Sequence, residues 1–385
     1  MMIALTLLVF TVSSVNCFNV DTRNTVTFSG PRNSLFGYSG VLQNNWLITG
    51  APRGNITGSP IVSPGVVYKC QVDFTLPSLR QCDPMIIQTP NVTDPRASQS
   101  NQFLGGSMIE ITDKILVCAH LWKVYPVNLE NQEFPVGRCH QISKNLTEID
   151  TNREFRFTYD ELLGSGYRAA FAMIGFSAAK STDPLVAILG GPGLDDKGGF
   201  LRYRVDQPPP YSIYKAVDGD ITKLLLQQSY MGYSTAVARF PAVGTCSFNP
   251  VLLGMPHFAG STDGHVGSVV LVCDSAAVPG ADMTILKQLF GNQIGAGFGY
   301  GIIVCDYNGD GKDDIMVSAP FQSLNRKTDV GTVFVFTGTG RNDFLMPVLT
   351  TLNGDEAEHG RFGISMANLG DITADDVDGK YIFIE

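Results

Sequence analysis

Lysine and arginine are sparse: 27 against 36 Asp and Glu in 385 residues, a formal net charge of −9, and they fall singly rather than in runs. Binding a phosphate backbone needs a clustered cationic face, so nucleic acid is excluded as a partner. Charged residues are only 16% of the chain and apolar ones 44%, a balance that excludes a disordered chain. After the N-terminus no apolar run reaches the ~18 residues of a membrane helix, so the chain carries no membrane span of its own. There is no Cys-x-x-Cys and no paired Cys/His spacing, which argues against zinc. Helical periodicity is almost absent.

Nucleophile signatures are missing as well. No Gly-x-Ser-x-Gly elbow occurs. None of the five histidines, His120, His140, His257, His265 and His359, has a nearby Ser or Cys arranged for attack. Ser261-Thr262-Asp263-Gly264 is similar to part of a sialidase Asp-box, but the following Gly-x-Thr-Trp is absent and the chain has only two Trp. Asp195-Asp196 reads as a turn within Gly193 to Gly198, not as a catalytic acid pair. The chain is not read as an enzyme.

What is present begins with an export signal. Residues 1–17 hold an apolar run, Ile3 to Val12, followed by small and polar residues, with Val15 and Cys17 at the −3 and −1 positions of a cut before Phe18. That is the pattern of a signal peptide, lacking only its positive start. Three N-x-S/T glycosylation acceptors, Asn55, Asn91 and Asn145, fit a secreted chain. Cysteines remain at 70, 82, 118, 139, 246, 273 and 305. Cys70 with Cys82, and Cys118 with Cys139, are short-range disulfide candidates in an oxidising compartment. Cys246 and Cys273 form a further possible pair, whereas Cys305, in the apolar run from Gly301, reads as a small buried hydrophobe.

The main signal is repetition. With 41 Gly and 21 Pro, the chain is punctuated about once in six residues. An aromatic-Gly-aromatic/small-Ser/Gly pattern recurs at Phe36-Gly37-Tyr38-Ser39, Phe103 to Gly106, Gly175-Phe176-Ser177, Met231 to Ser234, Phe298 to Gly301 and Phe362 to Ser365. An apolar strand ending in a small residue and Pro follows at Leu47 to Pro52, Ala187 to Pro192, Leu252 to Pro256 and Met316 to Pro320, with Leu116 to His120 a copy lacking the Pro. A third pattern, Gly then alternating apolar residues, appears at Gly65 to Tyr68, Gly198 to Tyr203, Gly267 to Val272 and Gly331 to Phe336. The period is about 55 to 75 residues, each unit holding three or four short strands. A lone sheet cannot bury both faces, so such units stack around an axis as the blades of an all-β propeller. Repeats begin near 36, 103, 176, 232, 298 and 362 within one domain, 18–385.

The fifth repeat carries Asp306-Tyr307-Asn308-Gly309-Asp310-Gly311-Lys312-Asp313-Asp314. Side-chain oxygens at Asp306, Asn308, Asp310 and Asp314, with the Lys312 carbonyl, make a hard donor set that suits Ca²⁺. Gly311 permits the tight turn. The loop resembles the start of an EF-hand loop but has Val317 where that motif has Glu, and strands flank it. The expected role is structural. A degenerate copy in the sixth repeat offers Asp371, Thr373 and Asp375, with Asp376 replacing the Gly. The fourth repeat has no such loop: Arg239 to Phe248 holds no carboxylate.

These residues resemble the N-terminal propeller of integrin alpha subunits. The carriers are Phe18-Asn19-Val20-Asp21, the segments 36–52 and 64–70, the run from Phe298 to Pro320, and Gly331 to Phe336 with Arg361 to Ile372. The resemblance implies a seven-bladed propeller of FG-GAP repeats, here incomplete at about five and a half blades because the sequence stops at Glu385. The 103 to 176 interval leaves no room for an inserted I domain, and the nearest branch is alpha-four/alpha-nine. The implied function is a cell-adhesion receptor head at the extracellular face of the plasma membrane. It would pair with an integrin beta subunit through the propeller axis and help bind extracellular matrix or cell-surface protein ligands in a divalent-cation-dependent way. This chain alone would be secreted. Tyr159 and Tyr167 lie where the family's ligand loops fall, but no ligand residue is assigned. The alternative is a secreted calcium-binding propeller with hydrolase or glycan-binding activity.

Overall fold

The computed structural model describes residues 27–43, 45–72, 82–85, 87, 97–112, 114–125, 132–143, 149–156, 170–206, 212–215, 229–240, 250–260, 264–273, 284–339, 350–355, 357–370 and 379–383. The signal segment, Asn91, Asn145, Tyr159, Tyr167, Cys246, Ser261 to Asp263, and Asp371, Thr373 and Asp375 lie outside them. Each repeat folds as an antiparallel sheet whose strands pair in chain order. The first sheet is Gly40–Gln43, Trp46–Ala51, Val66–Gln71 and Asp83–Met85. The second is Leu104–Ile111, Lys114–Ala119, Arg138–Ser143 and Ile149–Arg156. The third is Ser177–Lys180, Val186–Gly191, Gly199–Arg204 and Ser212–Lys215. The fourth is Thr235–Val237, Val251–Met255, Ser268–Cys273 and Thr284–Phe290. The fifth is Ile302–Cys305, Asp314–Ala319, Thr332–Phe336 and Thr350–Asn353. In the sixth, Ser365–Gly370 pairs with Gly379–Phe383.

The second strands of the third, fourth and fifth sheets are buried at every residue. Only a sheet covered on both faces buries alternate side chains alike. The first strand of each sheet touches the first strand of the next, from Gly40–Gln43 through to Ser365–Gly370. The sheets therefore stand side by side around an axis lined by their first strands, which is a β-propeller. The short 3₁₀ turn Leu194–Asp196 contains the Asp195-Asp196 pair, in keeping with its reading as a turn.

The glycine patterns build the seams between blades. The third-pattern glycine meets the backbone just before the next repeat's first-pattern glycine. A Cβ on Gly198 would lie 2.2 Å from the Met231 carbonyl oxygen, and one on Gly267 2.3 Å from that of Phe298. Both sit at positive φ, 91° and 78°, so glycine is needed twice over, for conformation and for room. The serine that ends the first pattern, or in the second repeat Ser107 just beyond it, then bonds across the same seam. Ser39 Oγ donates to the Gly105 carbonyl (2.7 Å), Ser107 to Gly175 (2.6 Å), Ser177 to Gly232 (2.9 Å) and Ser234 to Gly299 (2.7 Å). The fifth repeat has Gly301 in that place, and its N–H instead takes Ser318 Oγ at 2.9 Å.

Both expected short-range disulfides form, Cys70–Cys82 and Cys118–Cys139. The second joins directly opposed residues of neighbouring strands and packs against Gly175 of the next repeat. Cys273 is disulfide-bonded; Cys246, its expected partner, lies outside the described residues. Cys305 is free and buried, as its apolar setting implies. Among the described residues no helix is long and apolar enough to cross a membrane.

Candidate functional site

The metal loop joins the first two strands of the fifth sheet. Gly309 and Gly311 take positive φ, 75° and 76°, and turn the chain so that Asp306 accepts amide hydrogen bonds from Gly309 (2.8 Å), Asp310 (3.1 Å) and Gly311 (2.7 Å). Asn308 Oδ1 accepts the Asp310 N–H at 3.1 Å. Asp314 is fully buried and is held by the amides of Tyr307 and Gly338, both at 2.8 Å. Burial raises its pKa, and the Asp310 and Asp306 carboxylates raise it further, the field that a cation relieves.

The donor chemistry fits a hard divalent cation, since a carboxylate oxygen accepting one N–H keeps a second lone pair for a metal. The side chains themselves are not gathered: among the described residues, no three Asp, Glu, His or Cys groups converge on one point. The reason is visible at Asp310, whose Oδ2 takes the Lys312 ammonium at 2.7 Å. That bond also lowers the pKa of the exposed Asp310. The backbone frame of the loop is formed while its carboxylates are engaged by the loop's own donors.

A second site was not anticipated from the sequence. Aromatic rings from successive repeats meet in edge-on and tilted contacts at the start of the axial strands. Tyr38 lies 5.2 Å from Phe103, Phe103 5.0 Å from His120, and His120 4.9 Å from Phe176. Phe176 lies 4.7 Å from Tyr233, and Tyr233 5.0 Å from Tyr300. Partial burial raises the pKa of Tyr38, and the Tyr300 hydroxyl adds to it. Burial likewise raises Tyr233, reinforced by its hydrogen bond with Tyr300. Burial drops His120 to about 4, so it is a neutral ring in the stack.

The ring positions follow the third residue of the first pattern: Tyr38, Phe176, Tyr233 and Tyr300. The second repeat departs from this. Leu104, not Phe103, occupies the seam position, opposite Gly65. Phe103 fills the axial place left by Gly106, whose Cβ would sit 2.7 Å from that ring. The result is an aromatic patch at one end of the axis, with Tyr38 more than half exposed (56%). Such a surface grips apolar side chains and cations through the faces of its rings.

Of the glycosylation acceptors, Asn55 falls in the described residues. It is exposed, and its Oδ1 accepts the Ser63 N–H at 2.8 Å.

A family model, the FG-GAP repeat, matches residues 298–336, the repeat that carries the metal loop. Integrin alpha-4 of Xenopus laevis is 30% identical over 383 residues, covering 96% of this chain and 35% of the relative. The chain is an integrin-alpha homologue. Mouse integrin alpha-8 is 29% identical, covering 93% of this chain and 34% of its own length, and Xenopus laevis integrin alpha-5 is 28% identical, covering 95% and 35%. The chain thus spans about a third of the length of these integrin relatives, and the narrow spread of identities does not separate the alpha-four branch from the others. A solved Bacteroides uniformis structure, described as a candidate 6-phosphogluconolactonase, aligns with a TM-score of 0.47 at 11% identity over 86% of this chain and 74% of that one. A likeness at that level says nothing of activity.

Proposed function

We propose that this chain forms the propeller of a non-catalytic cell-adhesion receptor head at the extracellular face of the plasma membrane. It pairs with an integrin beta subunit, and the two together bind an extracellular matrix or cell-surface protein. The observation that carries the reading is the aromatic patch at the axis, on a chain that is homologous to integrin alpha subunits over nearly its whole length. Tyr38, Phe103, Phe176, Tyr233 and Tyr300 supply the docking face. An aromatic, partly exposed patch is suited to holding a partner's side chain.

Calcium is the implied ion, held by Asp306, Asn308, Asp310, Asp314 and the Lys312 carbonyl. Its role is structural: it neutralises the carboxylates and fixes the turn between two buried strands. Asp371, Thr373 and Asp375 offer a second, poorer loop. The test is co-secretion of the chain with a panel of integrin beta subunits, followed by pull-down. A complex with at least one of them is expected, and Tyr38→Ala together with Tyr300→Ala should abolish it. Secretion as a monomer that binds none, but binds glycans or hydrolyses a substrate, would instead support the enzyme or lectin alternative.

A further inference from the structure

Arg239 and Asp306 hold the same place in successive repeats. Each lies six residues after its axial tyrosine, Tyr233 or Tyr300, where the first strand ends. In the fifth repeat that place is the first oxygen ligand of the metal loop. In the fourth it is a cation, and it turns toward the fifth. The Arg239 guanidinium forks onto Asp313, Nη2 to Oδ1 at 2.7 Å and Nε to Oδ1 at 3.2 Å, while its backbone N–H donates to Oδ2 at 2.6 Å. Asp313 is buried, with 6% side-chain exposure. It sits between Lys312 and Asp314, two of the residues assigned to the ion, and its backbone carbonyl lies against Gly338, which holds the Asp314 carboxylate. A buried carboxylate needs a partner, and here the neighbouring blade supplies it.

We propose that Arg239 is a positioning residue for the calcium loop: by clamping Asp313 across the seam, it holds the Lys312 carbonyl and the Asp314 carboxylate in place to bind the ion. The blade that lacks a metal loop thereby braces the loop of the next one. By linkage, calcium in the fifth blade tightens the contact between the fourth and fifth. This rests on the calcium reading of the loop.

The competing effect is Coulombic, and it has the opposite sign. Arg239 is a positive charge near a cation site, so removing it would by charge alone strengthen calcium binding. Its side chain is 77% exposed, and solvent screening makes that effect small. The loss of a group that orients metal ligands costs on the order of tenfold or more in affinity.

The experiment titrates calcium into the secreted chain by calorimetry and compares melting in calcium with melting in EDTA. Wild type, Arg239→Ala, Arg239→Lys, Asp313→Asn and the double variant Arg239→Ala/Asp313→Asn are compared. Arg239→Ala and Asp313→Asn should each weaken calcium about tenfold, and the double variant no more than the weaker single. Arg239→Lys, which keeps the charge and loses the fork, should fall between; it also serves if the alanine variant does not fold. A charge effect alone would move Arg239→Ala and Asp313→Asn in opposite directions, which overturns the proposal. So does unchanged affinity with melting lowered equally in calcium and in EDTA. Failure of the wild type to bind calcium at all would instead remove the calcium reading beneath it.

Discussion

Gly267 and Gly295 allow the seam to be weighed directly. Their φ angles are nearly equal, 78° and 77°, so replacing either by alanine imposes the same left-handed strain, about 1–2 kcal/mol. Their surroundings differ. A Cβ on Gly295 meets nothing within 4 Å, whereas one on Gly267 would lie 2.3 Å from the Phe298 oxygen, 2.8 Å from its nitrogen and 3.1 Å from its carbonyl carbon. All three are backbone atoms, with no flexible end to swing aside. Relieving them means moving the fourth blade off the fifth, which costs about 1–3 kcal/mol more, as overpacking does. Gly295→Ala should therefore lose about 1–2 kcal/mol and Gly267→Ala about 2–5 kcal/mol. The assay is urea unfolding followed by tryptophan and tyrosine fluorescence, with matched slopes required before midpoints are compared. Equal losses in the two variants would refute the claim that third-pattern glycines are close-packed seam residues.

Other outcomes are expected from the same structure. Ser177→Ala, which removes a bond to the Gly232 carbonyl across the seam, should cost about 1 kcal/mol by the same assay; no change would mean that water replaces the hydroxyl freely. Replacing both Cys118 and Cys139 by alanine, which opens the bond joining two neighbouring strands of the second blade, should cost about 2–4 kcal/mol and reduce secretion; secretion and stability at the parental level would count against it. His120 is buried with its pKa lowered from 6.5 to about 4, so below pH 6.5 the unfolded chain takes up a proton that the folded chain refuses. Its penalty is absent above pH 6.5 and grows as pH falls toward about 4, where it approaches roughly 3 kcal/mol. His120→Phe should flatten that part of the stability profile between pH 6.5 and 4, and an unaltered slope would place the titration elsewhere. Asp310→Ala should abolish the rise in melting temperature on adding calcium, and an undiminished rise would remove Asp310 from the ligand set.

The blades were legible because their signals are local and recur. Strand ends fall at Ala51, Gly191, Met255 and Ala319, each followed by the Pro that closes the second pattern. The third strand of the second blade went unseen because Arg138, His140 and Gln141 break its apolar alternation. His140 and Gln141 are nevertheless buried, carried there by the fold around them. The axial ring was hidden for a different reason. Tyr38 and Tyr300 stand 262 positions apart in the chain, and each repeat contributes only one or two rings. Only radial stacking turns a one-residue motif into a surface. At the metal loop the sequence shows which residues can donate, but not that Lys312 holds Asp310 aside, since that depends on a side-chain rotamer.

In the proposed function, the end of the axis bearing Tyr38, Phe176, Tyr233 and Tyr300 meets a beta subunit. Cryo-electron microscopy of the co-secreted complex tests it most directly. Partner density is expected over those rings, with the opposite end of the first strand, where Leu42 is exposed, left uncovered. Density over Leu42 and the Asp306 loop, with the aromatic ring bare, would contradict it.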